Sequence, residues 1–581
     1  MAVVAPARTA VATPAVAIAV MFPPLDWDAL AYHLPMADYW LQEQQVVTNP
    51  FSYWAQIYPG AAESVVAWLG ALTGTVRPAA AVQIGGAALG ALAVVGLCRG
   101  AGCSHRSSLV GGLTFLVAPL VLTQLSTAEV DVVAAGTLLA SWHLLLVALR
   151  RGQTPDRPPG ADAEPEPAIP ATVAVARQAG PLALAERPPR TAPAAAPEPR
   201  PRAGGVLPAL VIAGIGAGVA VGVKPTNLLA VGVLGIVLVT TVVWRGVAAG
   251  RPFRALGQAL IRGVCFGLPA VALGAWWYVR NAVLWGNPFY PVAVAGLPGN
   301  PDVVALLGVD PRQVGTTNPF WAVLVSWADD LHWRPYSYGS PTGGLGAHWV
   351  LVLAPAVPVA FVLLLRSGRA LVAWGLLAPG VLLLLAYPGQ YHSRYTLFLL
   401  GIGATSLAVV LDRLPRWPRQ GLLALTVAAA LFSAAAASWW ALDISGAGDR
   451  GPTPRAVLAL AQRPQSERDV AGLRGAFTEI DRAEAGATFV VPPEFGDFGQ
   501  PWVLPHSLWG DDLSRRVVKA DRPITDTDQA LRALRENSGQ YLVVTKESPL
   551  EAALEAAPGR MHPAFDVGWL ARAWAAGPAD D

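Results

Sequence analysis

The chain of 581 residues carries 41 Lys and Arg against 39 Asp and Glu, for a net charge of +2, and is 54% hydrophobic but only 14% charged. Soluble domains hold about 25% charged residues, so the composition excludes an ordinary soluble protein and describes an integral membrane protein. The near balance of charge argues against a nucleic-acid partner.

Apolar runs near the roughly 20 residues that cross a bilayer predict about eleven spans, at 9–23, 79–98, 108–125, 130–149, 206–222, 226–244, 261–279, 348–365, 370–387, 395–411 and 421–442. The first is short and holds Pro14, which fits a tilted or thinned span or a start of translation further upstream; it does not read as a cleaved signal peptide. An N-terminal membrane part, 1–150, contains a first loop, 24–78, that gathers Asp26, Asp28, His33, Asp38, Glu43 and Glu63 among Tyr32, Tyr39, Trp40, Tyr53, Trp54 and Tyr58. A short loop before the fourth span adds Glu129 and Asp131.

Residues 151–205 are rich in Pro, Ala and Arg and almost without aromatic residues, a composition that cannot bury enough apolar surface to fold, so a disordered cytoplasmic linker is expected. A second membrane part, 206–442, is interrupted at Lys224-Pro225 and contains a large loop, 280–347, that opens with WWYVRNAVLWGNPFYP and runs through WADDLHWRPYSYGSPTGG. A further short loop reads YPGQYHSRY. In the tail, 443–581, ATFVVPP and GQYLVVTKE read as strands while DTDQALRALREN and PLEAALEAA read as helices, so a small α/β domain is expected there.

Cytoplasmic loops are enriched in Lys and Arg. With the N-terminus inside, every second connection is basic: Arg99 and Arg106; Arg150 and Arg151; Arg245, Arg251, Arg254 and Arg262; Arg366 and Arg369; Arg413, Arg416 and Arg419. The other side holds Arg77, Lys224, Arg280, Arg312, Arg334 and Arg394 over longer loops. A multi-pass protein of the cell membrane is expected, with the acid-rich and aromatic loops and the C-terminal domain outside. The three cysteines, Cys98, Cys103 and Cys265, then lie near the cytoplasmic face, with no CxxC spacing.

Several residues allow two readings. Asp28 can act as a base or simply cap the helix Ala29–Trp40. Arg280 and Arg394 can meet a phosphate or snorkel as interfacial anchors. His33, His332 and His392 can be ligands or packing residues, and Asp329-Asp330 with His332 a cation site or solvated acids. Trp276, Trp277, Tyr278 and Trp285 fit an interfacial belt, although such rings also stack on sugars. Lysine is rare here, three in all, so Lys224 beside a span points to a polar cavity or a membrane surface.

Asp26-Trp27-Asp28 with Tyr32 directly after the first span, Tyr58-Pro59-Gly60 opening a later helix, the Lys224-Pro225-Thr226 break, and Arg280-Asn281 followed by Gly286-Asn287-Pro288-Phe289-Tyr290-Pro291 resemble the GT-C glycosyltransferases. The resemblance is to the bacterial group related to protein mannosyltransferases, aminoarabinose transferases and RgtA/B/C/D-like enzymes. It implies an all-α polytopic membrane protein with an external α/β domain, transferring a sugar with inversion from a polyprenyl-phosphate donor to a glycan, lipid or protein acceptor at the outer face of the bilayer. Asp28 matches the family's first-loop base, with Asp26 sharing the role because Ala29 stands where a second acid is common. Lys224, Arg280 and Arg394 would meet the donor phosphate, and Tyr32, His33, Glu129, Asp131 and His392 the acceptor or sugar. No cofactor is required by this reading, and a divalent metal ion stays open. The rivals are a transporter or lipid flippase, which would show internal repeats and midplane charges, and a polysaccharide polymerase or ligase relying on Arg and His in later loops.

Overall fold

A computed structural model describes residues 23–24, 26–151, 205–306, 310–333, 342–387, 389–440, 462–463, 472–498 and 504–577. The expected first span, 9–23, and the expected linker, 151–205, lie outside the described residues except at their edges.

Among the described residues seven helices are long and apolar enough to cross a membrane: Arg77–Gly100, Asp131–Arg151, Val206–Val223, Asn227–Ala248, Pro252–Trp285, Trp349–Arg366 and Arg416–Ala437. Each overlaps an expected span over most of its length. The expected eleven are not reached, and proline explains one shortfall. Pro119 has no amide hydrogen and fixes its own φ, so the run 108–125 is split into the helices His105–Leu116 and Pro119–Gln124. The runs at 370–387 and 395–411 form the helices Ala370–Ala386 and Phe398–Arg413, of 17 and 16 residues. The second of these is buried along almost its whole length, so it forms the middle of the bundle.

Small residues set the packing, as expected where lipid removes the hydrophobic drive between helices and close van der Waals approach replaces it. A side chain on Gly136 would collide with the Gly86 carbonyl, and one on Gly214 with the Phe266 carbonyl. Helix Asp131–Arg151 is thereby drawn onto Ala81–Gly100, and Val206–Val223 onto Pro252–Trp285. One end of the bundle is basic: Arg150, Arg369 and Arg245 donate to the Gly100, Ala101 and Leu149 carbonyls, closing helix C-termini with the charge that suits them. Lys224, Arg394 and the carboxylates of the first loop sit at the other end.

The C-terminal segment contains a five-stranded sheet, in the order β2-β1-β3-β5-β4. Strands β1 (Thr488–Val491), β2 (Arg516–Lys519) and β3 (Tyr541–Thr545) are parallel, while β5 (Ala571–Ala576) runs antiparallel to β3 and to β4 (Met561–Val567). All four residues of β1 are buried, as a central parallel strand covered on both faces requires. Asp526 and Ser548 cap the helices Thr527–Glu536 and Pro549–Glu555 through the Gln529 and Glu551 amides.

This sheet does not stand apart from the first loop. Leu30, Leu34 and Phe51 share one apolar core with Leu504, Leu508, Trp509 and Val517. Gln42, on helix Leu34–Glu43, accepts from the Trp509 indole and the Val517 amide and donates to the Val517 carbonyl. Beneath them His506 is buried between Asp38 at 2.7 Å and Asp511 at 3.0 Å. The C-terminal unit therefore grips the helix that leads directly out of the Asp26–Asp28 motif.

Candidate functional site

The site begins at the helix over 27–43. Pro35 cannot donate to the carbonyl four residues earlier, and the turn before it, Ala29–His33, widens to π spacing, a frequent feature of functional positions. Asp26 caps this helix: its Oδ1 accepts from the Ala29 amide at 2.8 Å and its Oδ2 from the Ala128 amide at 3.4 Å. Burial, against these hydrogen bonds and with added pressure from Asp28, pushes the Asp26 carboxyl up to about 6. Asp28, weighed above as the cap, makes no side-chain capping bond. Its carboxylate is partly exposed and faces Arg394 Nη1 at 3.4 Å. The two acids thus differ in setting: Asp26 is buried and braces two loops together, while Asp28 is partly exposed and paired with Arg394.

Three further segments converge here. Lys224 precedes Pro225, and the residue before a proline is pushed out of the helical region; Lys224 accordingly ends the helix Val206–Val223 in an extended conformation. Tyr58, before Pro59, is extended for the same reason, and the helix Ala61–Thr73 follows it. Arg394 comes from the 387–396 loop, where its guanidinium lies 5.3 Å from the Tyr395 ring.

Together these segments wall a cavity of about 410 Å³. Its lining combines the polar Tyr32, His33, Glu129, Lys224 and Arg394 with the apolar Val223, Leu228, Leu229, Trp277, Phe289 and Val292. Lys224 is in direct contact with Asp131 and lies 4.5 Å from the Tyr395 ring centroid. Burial and Arg394 drive its ammonium below the ordinary range, against the pull of Glu129 and Asp28. Glu129 is held well above the usual carboxylate range, first by burial and then by Asp28. For Arg394, the surrounding Tyr395, Glu129 and Asp28 outweigh burial and fix the guanidinium as a permanent cation. His33, which lines the cavity, bonds Glu63 through Nδ1 at 2.5 Å.

Eight of the ten residues singled out in the sequence gather in this region: Tyr32, His33, Glu129, Lys224 and Arg394 line the cavity, Asp28 and Asp131 do not line it but pair with Arg394 and Lys224, and Asp26 lies beside Asp28. The remaining two stand at its margin. Arg280 does not line the cavity; it donates to the Tyr58 carbonyl at 2.9 Å and to Asn281, and it covers the Trp277 ring. His392 is flanked by Tyr391 and Tyr395, with ring centroids 4.4 and 5.5 Å away. The proposed cation site at Asp329-Asp330-His332 does not fit a metal: Asp330 is buried and accepts from the Gly344 amide at 2.7 Å, His332 is exposed, and among the described residues no three His, Cys, Asp or Glu side chains gather as a cage. Asp28 and Asp131 are each already matched by a side-chain cation.

No protein-family model and no curated sequence matches the chain. Solved structures do. ArnT from Cupriavidus metallidurans bound to undecaprenyl phosphate aligns over 98% of both chains at 14% identity, with a TM-score of 0.53. Its apo form aligns over 98% of both at 15% identity and a TM-score of 0.50. The fold is that of the GT-C glycosyltransferases. The oligosaccharyltransferase AglB from Archaeoglobus fulgidus, in complex with an inhibitory peptide and a dolichol-phosphate, aligns over 93% of this chain and 69% of its own at 12% identity, with a TM-score of 0.44.

Within this GT-C fold the sequence reading passed over several residues of the site. Tyr58, Tyr395 and Asn281 line the cavity, and Asn281 ties the helix Pro252–Trp285 to the Ile57 carbonyl at 2.9 Å. Tyr58 and Asn281 stood inside motifs already noted, beside Pro59 and Arg280. Nothing local marked Gln42 or the bond from His506 to Asp38, which join segments more than 450 residues apart in sequence.

Proposed function

We propose that the protein is a membrane glycosyltransferase that moves a sugar from a polyprenyl-phosphate donor to an acceptor hydroxyl at the external face of the membrane, with inversion at the anomeric carbon. The observation that carries this reading is a cavity whose lining combines a majority of apolar side chains with the cations Lys224 and Arg394, Asp28 being paired to the latter. A lipid chain fits the apolar lining and its phosphate the cations. The alternation of arginines along the sequence supports the external assignment of the cavity, with the N-terminus inside and the C-terminal unit outside.

In this mechanism the arriving phosphate takes Arg394 as its partner and releases Asp28, whose carboxylate then accepts the proton of the acceptor hydroxyl as that oxygen attacks the anomeric carbon. The bond from this carbon to the phosphate oxygen breaks on the opposite side. Lys224 and Arg394 stabilise the charge that grows on the departing polyprenyl phosphate. Glu129, its carboxyl pushed well above the usual range by burial, is a polar contact for a sugar hydroxyl, and His33 is a second. Tyr278, Phe289 and Tyr290 give the lining aromatic surface for sugar or lipid. The acceptor is a glycan, lipid or protein hydroxyl.

The test is transfer by the full chain in lipid nanodiscs, offered a panel of polyprenyl-phosphate sugars and membrane-extract acceptors. Label moving from donor to acceptor is the expected result. Lipid movement between leaflets without transfer would replace this reading with a flippase.

A further inference from the structure

We infer that Gln124 and Gln83, which touch neither the cavity nor any ligand, are positioning residues that aim the Lys224 ammonium through Asp131; the inference rests on the reading of Lys224 as a phosphate-binding cation. Both glutamines are fully buried within the bundle. Buried polar groups are costly unless bonded, and these form one chain. The Val133 amide donates to Gln83 Oε1 at 3.1 Å, Gln83 Nε2 donates to Gln124 Oε1 at 3.0 Å, and Gln124 Nε2 donates to Asp131 Oδ2 at 2.9 Å. Asp131 Oδ1 then meets Lys224 Nζ.

The direction of this chain follows from its ends. A backbone N–H can only donate and an ionised carboxylate can only accept, so each amide between them has one orientation that satisfies both neighbours. If either amide were reversed, two donors or two acceptors would face each other. With Oδ2 fixed by Gln124, the Asp131 carboxylate has one oxygen left to turn, and that oxygen holds Lys224. The Tyr395 face, 4.5 Å from Nζ, is the second constraint. An ammonium has three donors; with Asp131 taking one and the Tyr395 ring limiting its swing, the ammonium is held at the cavity that Lys224 and Tyr395 both line. A long, flexible lysine would otherwise have to be ordered at the moment of binding, which weakens affinity.

A purely structural role, polar glue between helices, is the rival account, and it predicts a different result. The assay is the equilibrium affinity of the full chain in nanodiscs for undecaprenyl phosphate, alongside the melting temperature, for wild type, Lys224→Met, Gln124→Leu, Gln124→Glu and Gln83→Leu. Gln124→Leu is expected to weaken binding about tenfold, the scale of one lost hydrogen bond to an ionised group, and Gln83→Leu to weaken it less. Gln124→Glu carries the decisive sign: as a neutral acid it still donates to Asp131, and as a carboxylate it repels it. Its affinity relative to wild type should therefore be close to unity near about pH 5.5 and fall toward about pH 8. If Lys224→Met weakens binding while the glutamine variants match wild type at every pH, the positioning role is overturned even if they melt earlier. If Lys224→Met binds as wild type does, the phosphate-binding reading of Lys224 fails, and this inference fails with it. Should Gln124→Leu not be recoverable in folded form, Gln124→Glu and Gln83→Leu decide the matter.

Discussion

His506 is a sharp test of how the C-terminal unit and the first loop are joined. Burial alone would favour a neutral imidazole, but the carboxylates of Asp38 and Asp511 outweigh it and raise the His506 pKa above its ordinary value of about 6.5. Arg77 approaches the same Asp511 at 3.4 Å, so the cluster holds two acids, one imidazolium and one guanidinium. Replacing His506 by leucine removes the imidazolium that the fully buried Asp38 meets at 2.7 Å. Breaking a buried ion pair from one side costs about 3–5 kcal/mol, so local opening of the interface should become on the order of 10³-fold more frequent. Amide hydrogen exchange over Leu34–Glu43 and over 504–520 measures this opening directly. The pH dependence has a fixed sign. A folded-state pKa raised above the unfolded one gives stability that is complete below about pH 6.5 and lost as pH rises through the elevated value, so the wild-type interface should loosen on the alkaline side and the His506→Leu interface should not change. Wild-type protection in the leucine variant, or protection that grows with pH in the native chain, would refute the reasoning.

Three other expectations follow from the same geometry. Arg394→Gln should weaken undecaprenyl phosphate binding by about tenfold or more at low salt, with the gap narrowing as ionic strength rises, since part of the attraction is screened; equal affinity at every salt concentration would remove Arg394 from the phosphate site. Gly136→Val should push the helices Ala81–Gly100 and Asp131–Arg151 apart, because the new side chain meets the Gly86 carbonyl, and overpacking of this kind costs about 1–3 kcal/mol; a lowered melting temperature measured in nanodiscs is the check. Asp26→Leu should destabilise the first loop by roughly 1–3 kcal/mol through the orphaned Ala29 and Ala128 amides, whereas Asp26→Asn, which keeps an acceptor, should cost less and leave transfer measurable.

The membrane architecture was largely legible because long apolar runs are a one-dimensional signal, and seven of the expected spans stand as full-length helices. The run at 108–125 was misread because its hydropathy is continuous across Pro119, although the missing amide of that proline was visible in the sequence. In the C-terminal unit, TFVV and YLVV announced their strands by β-branched and aromatic residues, while β5, ARAWAA, is too rich in alanine to carry a clear strand signal. At the site, proline did more of the signalling than charge: Lys224-Pro225 and Tyr58-Pro59 each fix an extended residue that turns a side chain toward the cavity. What sequence could not separate was Asp26 from Asp28, since both are plausible caps by type, and only the approach of Ala128 and Arg394 from distant segments divides them. Gln83, Gln124 and Gln42 were invisible for a related reason. A glutamine becomes informative only when its two partners are known.

The account stands or falls on Asp28. With a donor and acceptor pair that the wild type uses, Asp28→Asn should lose transfer by a factor of roughly 10²–10⁴, the range of general base catalysis, while retaining undecaprenyl phosphate affinity and a wild-type melting temperature. Transfer by that variant within a few-fold of wild type would contradict the assignment of Asp28 as the base.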